Sequence, residues 1–390
     1  MISKSLDLTG QSLWKYPLAY DTIDEQDISS LIDWLRTNPR LTMGEVTKKF
    51  EQKWANLIGT KYSIFVNSGS SANLLMLYSL LNLGRLKNNK FLVPSCGWIT
   101  TLSPLIQFGI EPIMVDADKD NYNIDLNIVE DYLKQGDVDG FIFVHVLGVP
   151  HRKKDLLYLK EKYGCHILED SCASVGAKYG DGSYIGTVGD MSSFSFYFGH
   201  QLSTIEGGFV NTDDKTLYEQ LLKLRSHGWV KDIENQKYRE DENFPFIFHE
   251  PGFNVRSTDL QAYIGLRQIK KSESIFSKRS KNHLRYVKNI NNKFEVQDCS
   301  DVTPVSLHIG ILAQSNEHRK KVIENCKKNS IETRIWSHGN LGKHQFWKDR
   351  YGEFLGEVSD KIYDRGFIVP THPLLQDEDI DFICEVINES

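Results

Sequence analysis

The sequence predicts an α/β fold, a mostly parallel central sheet flanked by helices with a smaller α+β unit at the carboxyl end. Three observations carry this. Apolar runs such as GFIFVHV (140–146) and HILED (166–170) lack polar alternation, the pattern of strands covered on both faces. Segments with helical spacing, 126–135 and 153–163, stand between such runs, so strand and helix alternate. Beyond residue 270 the order becomes helix 274–289, strand 305–312 and helix 317–328, read as a second body. The expected domains are therefore 1–270 and 271–390.

The chain opens polar and takes up helical spacing over 23–35, with acids in the first turn. A strand at 62–66 (YSIFV) runs into Asn67-Ser68-Gly69-Ser70-Ser71 and a helix from Ala72. Small residues opening a helix leave unpaired backbone N–H groups pointing outward, a ready site for phosphate. Alone the motif is weak, since Ser and Gly cap many helices. Strand 91–94 leads into Trp98 and a further helix, and strand 112–116 precedes the acidic helix 126–135. Asp170 ends the run at 166–170, and active sites of such sheets form at strand carboxyl ends. A charged, turn-rich stretch over 231–248 reads as a solvated loop or short hairpin, and a helix over 259–271 leads to the second body.

Composition narrows the function classes. The chain has 390 residues, 40% of them hydrophobic and 25% charged, as in ordinary globular proteins. A net charge of -6 with interspersed signs gives no footprint for nucleic acid. No apolar run approaches the roughly 20 residues of a membrane span. The six cysteines are scattered without C-x-x-C spacing, and with no signal peptide in view they read as reduced thiols of a cytoplasmic protein. No metal site is expected, and no four-cysteine iron-sulfur set is visible.

The most informative stretch is 192–208, SSFSFYFGHQLSTIEGG, with a single imidazole, His200, between its aromatic and glycine-rich halves. Taken alone, such a histidine also reads as a buried, hydrogen-bonded loop residue. The stretch resembles the pattern S-F-x-x-x-K-x-x-x-x-G-E-G-G of the DegT/DnrJ/EryC1/StrS family, pyridoxal phosphate (PLP) enzymes acting on nucleotide-linked sugars, with His200 in the place of the cofactor lysine. The resemblance implies a fold type I, aspartate aminotransferase-like architecture. Lysine forms a Schiff base with an aldehyde, whereas imidazole only exchanges protons. The resemblance is to a branch in which histidine replaces lysine, the sugar 3-dehydratases.

Other motifs resemble the family in the same order along nearly the whole chain. The turn at Gly69 and Ser70 is implied to hold the cofactor phosphate with Ser195, five residues before His200, while Trp98 faces the pyridine ring and Asp170 its nitrogen. Asp170 would keep that ring protonated as an electron sink. In the LEDSCAS segment Ala173 departs from the family, which carries Gln or Glu there. Asn254, in a G-x-N-x-R motif, is implied to reach the phosphate of a second subunit, hence a homodimer. Thr42, His227, Glu332 and Arg334 are the candidate substrate residues, Arg334 able to hold a carboxylate in a bidentate pair. A plain turn at Thr42, a structural His227 and a surface ion pair at Arg334 are the bland alternatives.

The expected activity is a 3-dehydratase using pyridoxamine phosphate (PMP), with His200 as base and glutamate regenerating PMP. Its expected substrate is a nucleotide-linked 4-keto-6-deoxy sugar, GDP-4-keto-6-deoxymannose first among them. A C4 aminotransferase and a catalytically silent PLP-binding relative are the alternatives. Segments 231–248 and 337–349 are expected to decide the nucleotide and sugar, with no readable code.

Overall fold

A computed structural model describes residues 14–336 and 339–390. Ser337 and His338, which begin the second of the two segments expected to select substrate, lie outside the described residues. Two helices come first, α1 (Glu25–Arg36) and α2 (Glu45–Ile58), α1 opened by a capping box between Asp24 and Asp27. Strand and helix then alternate: β1 (Tyr62–Val66), α3 (Gly69–Asn82), β2 (Lys90–Pro94), α4 (Ile99–Gln107), β3 (Glu111–Val115), α5 (Leu126–Gln135), β4 (Gly140–Val144), α6 (Lys153–Tyr163) and β5 (His166–Asp170). Side chains cap the starts of α3 (Ser68) and α5 (Asp125), and left-handed Gly136 and Gly164 end α5 and α6. Strands β6 (Met191–Ser195) and β7 (Gly208–Thr212) complete the first sheet, followed by α7 (Lys215–Arg225).

The sheet runs β1-β7-β6-β5-β4-β2-β3, and β7 pairs antiparallel with both neighbours, so every other strand points its carboxyl end at the same edge. Strand alternation divides its residues between two cores. Phe65, Leu92, Phe141, Phe143 and Ile167 face α2, α5 and α6; Ile64, Val66, Phe91, Val93, Ile142 and Leu168 face α3, α4 and α7. Both faces are therefore apolar, which is why the strands read as continuous hydrophobic runs. The same alternation splits the paired acids of β5. Glu169 falls on the side of Ile167 and Asp170 on the side of Leu168, toward α3 and α4.

Glu169 is fully buried and is consumed by structure. It accepts hydrogen bonds from the N–H groups of Gly186, Val188 and Gly189 and from the Tyr179 hydroxyl. Asp170 is left for other work.

After α7 the stretch expected as a loop or hairpin forms one short helix, α8 (Gln236–Arg239), and pairs only through an isolated bridge between Trp229 and Phe248. The helices expected over 259–271 and 274–289 are one 31-residue helix, α9 (Asp259–Asn289). Neither glycine nor proline interrupts the sequence from 266 to 289, and Ser272 bonds back to the Ile269 carbonyl instead of capping a new helix. Residue 270, the expected boundary, thus falls inside α9. The rest comprises β8 (Glu295–Val296), β9 (His308–Leu312), α10 (Asn316–Lys328), β10 (Arg334–Ile335), α11 (Gln345–Tyr351), α12 (Glu357–Arg365), β11 (Gly366–Pro370) and α13 (Asp377–Asn388), built on a second sheet, β10-β11-β9-β8. β9 is shorter than the expected 305–312, because residues 305–307 run out of the sheet toward the first body.

Among the described residues no helix is long and apolar enough to cross a membrane, and no grouping of His, Cys, Asp or Glu could hold a metal ion.

Candidate active site

Three segments converge where β1, β5 and β6 end. A Cβ on Gly69 would stand 2.6 Å from Cys172 Sγ and 2.7 Å from Ser195 Cβ, so only glycine lets the start of α3 pack this closely. Gly208 lies across from Ser195 in the β6–β7 register, and a Cβ added to it would stand 2.6 Å from the Gly69 nitrogen. Ser68 caps α3 by accepting from Ser71 N at 3.1 Å, and among the described residues the N–H groups of Gly69 and Ser70 have no acceptor in the chain. Open donors at a helix start, with the Ser195 hydroxyl beside them and the Ser70 hydroxyl resting on Thr100 Oγ1 at 3.1 Å until it turns to an anion, can act as an anion cradle.

Asp170, 4% exposed, is held from three directions. Its Oδ2 accepts from Asn73 Nδ2 (2.8 Å, from α3) and Thr101 Oγ1 (2.7 Å, from α4). Its Oδ1 accepts from Cys172 N at 3.1 Å, while the Ser193 hydroxyl, 3.5 Å away, gives its hydrogen to Asn73 Oδ1 at 2.6 Å. One lone pair on Oδ1 therefore remains for an incoming N–H. Neither Asn73 nor Thr101 stands out in the sequence; the signal available was a polar residue at the fifth position of α3 and a threonine at the start of α4.

Trp98 is the N-cap residue of α4 and is 51% exposed, a large indole at the edge where the strands end. His200 lies in the irregular loop after β6, partly buried, its N–H bonded to the Tyr197 carbonyl and its ring edge-to-face with Tyr197 at 6.0 Å. Its Nδ1 is sealed from solvent and has no partner. Burial brings its pKa down to about 4; the Cys172 and Ser195 backbones and the Asp170 charge oppose this, and Arg279 adds to it. The imidazole is thus neutral at pH 7, as a base must be.

The expected substrate residues fall into two further groups. Thr42, His227 and Asn254 are exposed and lie along one ribbon, through bridges Thr42 to Thr258, Val66 to Arg256 and Ser226 to Asn254. This ribbon meets the cradle where Asn67 N donates to the Val255 carbonyl at 3.0 Å. His227 holds a left-handed backbone (φ 67), unusual for a residue other than glycine. Glu332, by contrast, is 6% exposed, and its carboxylate accepts from Leu18 N at 2.8 Å and from Arg334 Nη2 at 3.2 Å. It fastens the amino-terminal segment, which passes on to Ala19 beside Gly199, the residue before His200. Arg334 is exposed and engaged with Glu332 rather than open for a bidentate pair.

The atoms present fit the implied cofactor. A phosphate suits the donors of Gly69, Ser70 and Ser195, a protonated pyridine nitrogen suits the spare lone pair of Asp170, and a flat ring suits the exposed indole of Trp98. The residues fit PLP or PMP held without a covalent bond.

The profile of the DegT/DnrJ/EryC1/StrS aminotransferase family matches residues 21–388. GDP-4-keto-6-deoxy-D-mannose 3-dehydratase of Yersinia pseudotuberculosis is 33% identical over 392 residues, 96% of this chain and 98% of its own. The enzyme of the same name from Escherichia coli O55:H7 is 32% identical, over 95% and 99%. Among solved structures, the E. coli GDP-4-keto-6-deoxy-D-mannose-3-dehydratase with bound hydrated PLP superposes with a TM-score of 0.89 at 29% identity, covering 96% of this chain and 99% of that one. A structure of GDP-4-keto-6-deoxymannose-3-dehydratase with a trapped PLP-glutamate geminal diamine gives 0.86 at 30%, covering 96% and 100%.

Proposed function

Because the chain belongs to the DegT/DnrJ/EryC1/StrS aminotransferase family, with a PLP-dependent aminotransferase-like fold, we propose that it is a PMP-dependent 3-dehydratase of a nucleotide-linked 4-keto-6-deoxy sugar. Its substrate is GDP-4-keto-6-deoxymannose, its amino donor glutamate, and its place a cytoplasmic deoxysugar pathway. One observation carries the reading: a neutral imidazole, His200, stands in the stretch that resembles the family's lysine motif, beside the open helix start at Gly69 and the buried Asp170.

When bound, PMP supplies an amine for the C4 ketone and an electron-withdrawing ring. The N–H groups of Gly69 and Ser70 and the hydroxyls of Ser70 and Ser195 hold the phosphate, and Trp98 covers the ring. Asp170, oriented by Asn73, Thr101 and Cys172, keeps the pyridine nitrogen protonated through Oδ1. With Nδ1 of His200 sealed, proton exchange falls to Nε2. That atom would take a proton at the cofactor's C4′ carbon and return it to the leaving C3 hydroxyl, so one base would serve twice. Nothing at position 200 can capture an aldehyde, and the cofactor exchanges freely.

The body formed by residues 1–270 carries these groups, and the 271–390 body covers them through Glu332 and the 305–307 stretch. Thr42 and His227 contact the sugar nucleotide, with Glu332 and Arg334 at the rim. The enzyme acts as a homodimer whose exposed Asn254 serves the partner's cradle. The test is to incubate the protein with PMP, glutamate and a panel of nucleotide-linked 4-keto sugars. A product lighter by one water is expected; an added amine instead would make the chain a C4 aminotransferase, and no turnover with any sugar a silent relative.

A further inference from the structure

The ribbon that carries His227 and Asn254 does not end at them. Val230 N donates to the Ile247 carbonyl at 3.2 Å, His249 N donates to the Gly228 carbonyl at 2.9 Å, and Trp229 bridges to Phe248, so its two sides run on together beyond the cradle. Burial alternates along 246–248, as successive side chains of an extended stretch do. Ile247 turns inward onto the core shared with α7, which leaves Phe246 69% and Phe248 58% exposed on the other side.

Both phenyl rings lie against one indole. Trp229 stacks on Phe246 at 5.5 Å and 20°, and on Phe248 at 6.0 Å and 29°. The indole is itself fixed, since its Nε1 donates to the Pro245 carbonyl and the Lys231 ammonium stands 4.1 Å from its ring centre. Folding gains little from two phenyls left in water, and clustered apolar surface of this kind marks a binding site. Its surroundings choose the occupant. Glu234, Lys237, Glu240, Asp241 and Glu242 of the same segment are exposed, whereas the core of a protein interface is depleted of charge. A shelf two rings wide in a charged segment suits a flat aromatic ligand better than a second protein. Phe248 stands seven residues before Val255, whose carbonyl holds Asn67 at the cradle, a span of roughly 23 Å at most. An elongated molecule with a flat ring at its far end reaches from one to the other, and a nucleoside diphosphate sugar is such a molecule.

We propose that Phe246 and Phe248, backed by Trp229, form the shelf on which the base of the sugar nucleotide stacks, and that the paired rings select a purine. This deepens the reading above and rests on the substrate carrying a nucleotide, not on the fate of the sugar. Side chains on alternate residues of an extended strand stand about 7 Å apart, the span of a fused two-ring base rather than of a single ring. The shelf serves the same cradle as Asn254, because both belong to one ribbon.

The test is calorimetric titration of the PMP-loaded protein with GDP and, separately, with UDP. The wild type is expected to bind GDP about fivefold more tightly than UDP. The double variant Phe246→Ala, Phe248→Ala should weaken GDP about tenfold or more and erase the preference. Its affinity for PLP and its urea melt should not change, since both rings are exposed. Phe246→Tyr with Phe248→Tyr, which keeps two flat rings, should retain tight GDP binding. Absent GDP binding, equal affinity for GDP and UDP in the wild type, or equal GDP affinity in the wild type and the double alanine variant overturns the proposal. A double alanine variant that falls from dimer to monomer in light scattering also overturns it, by assigning the rings to a second copy. If no 4-keto sugar is turned over, the reaction assignment falls while the GDP titration still decides this one.

Discussion

Asn73 Nδ2 lies 2.8 Å from Asp170 Oδ2, and Asn73 Oδ1 accepts from the Ser193 hydroxyl at 2.6 Å. A single amide thus ties α3 to β5 and β6, one helical turn beyond the open N–H groups of Gly69 and Ser70. The element whose open donors are proposed to hold the phosphate also aims the carboxylate proposed for the ring nitrogen, so the spacing between the two is set by one helix.

Replacing Asn73 with Leu is therefore expected to weaken PLP and PMP binding at least tenfold, equivalent to about 1.4 kcal/mol, and to lower folding stability by roughly 1–3 kcal/mol because a buried carboxylate oxygen loses a donor. Absorbance titration with PLP and denaturant unfolding measure the two effects. Unchanged affinity would show that Thr101 and Cys172 suffice to orient Asp170.

His200→Asn should reduce dehydration by about 10²–10⁴-fold, the range for loss of a positioned general base, while PMP remains bound. Mass analysis of the product and the spectrum of the retained cofactor check this. Borohydride should leave no PLP fixed to the wild-type chain.

His283 and His372, both nearly fully buried, have pKa values brought down to about 4 by burial, with Arg279 adding to the effect at His372. Each takes up a proton on unfolding between its ordinary value near 6.5 and about 4. The contribution of the neutral rings is fully present above about pH 6.5 and is lost as pH falls, up to about 3 kcal/mol for each. Urea melts from about pH 7 to about pH 4.5 should show this decline, and His283→Gln or His372→Gln should flatten it.

Glu332→Gln should release the amino-terminal segment. The loss expected is about 1–3 kcal/mol, read by denaturant unfolding and by faster proteolysis before residue 20. Arg334→Ala, at an exposed pair, should change stability by less than about 0.5 kcal/mol. An equal effect of the two would refute the anchoring role of Glu332.

The fold was legible because its strands are covered on both sides and its helices carry their own caps, as at Ser68 and Asp125. Gly69 and Asp170 were legible for a related reason, since they stand at the ends of apolar runs read as strands, whereas Ser195 was picked out only by the resemblance of the 192–208 stretch to the family. Asn73 and Thr101 were hidden because their partner, Asp170, is 97 and 69 residues away, a distance no local pattern spans. The buried anchoring role of Glu332 was hidden for the opposite reason. A charged residue in a short strand reads as surface, and only the bond to Leu18 N shows that it has been drawn inside. The fusion of two expected helices into α9 follows from the absence of any breaker between them.

That fusion bears on how the enzyme could open. Helix α9 is about 46 Å long at about 1.5 Å per residue, packing against α2 near its beginning and against α13 toward its end. A rod shared in this way cannot serve as a flexible tether. The rod is gripped along its middle as well, Phe276 packing over Gly176 and Arg279 Nη1 donating to the Ser306 and Leu307 carbonyls, so substitutions there would loosen the seam between the two halves.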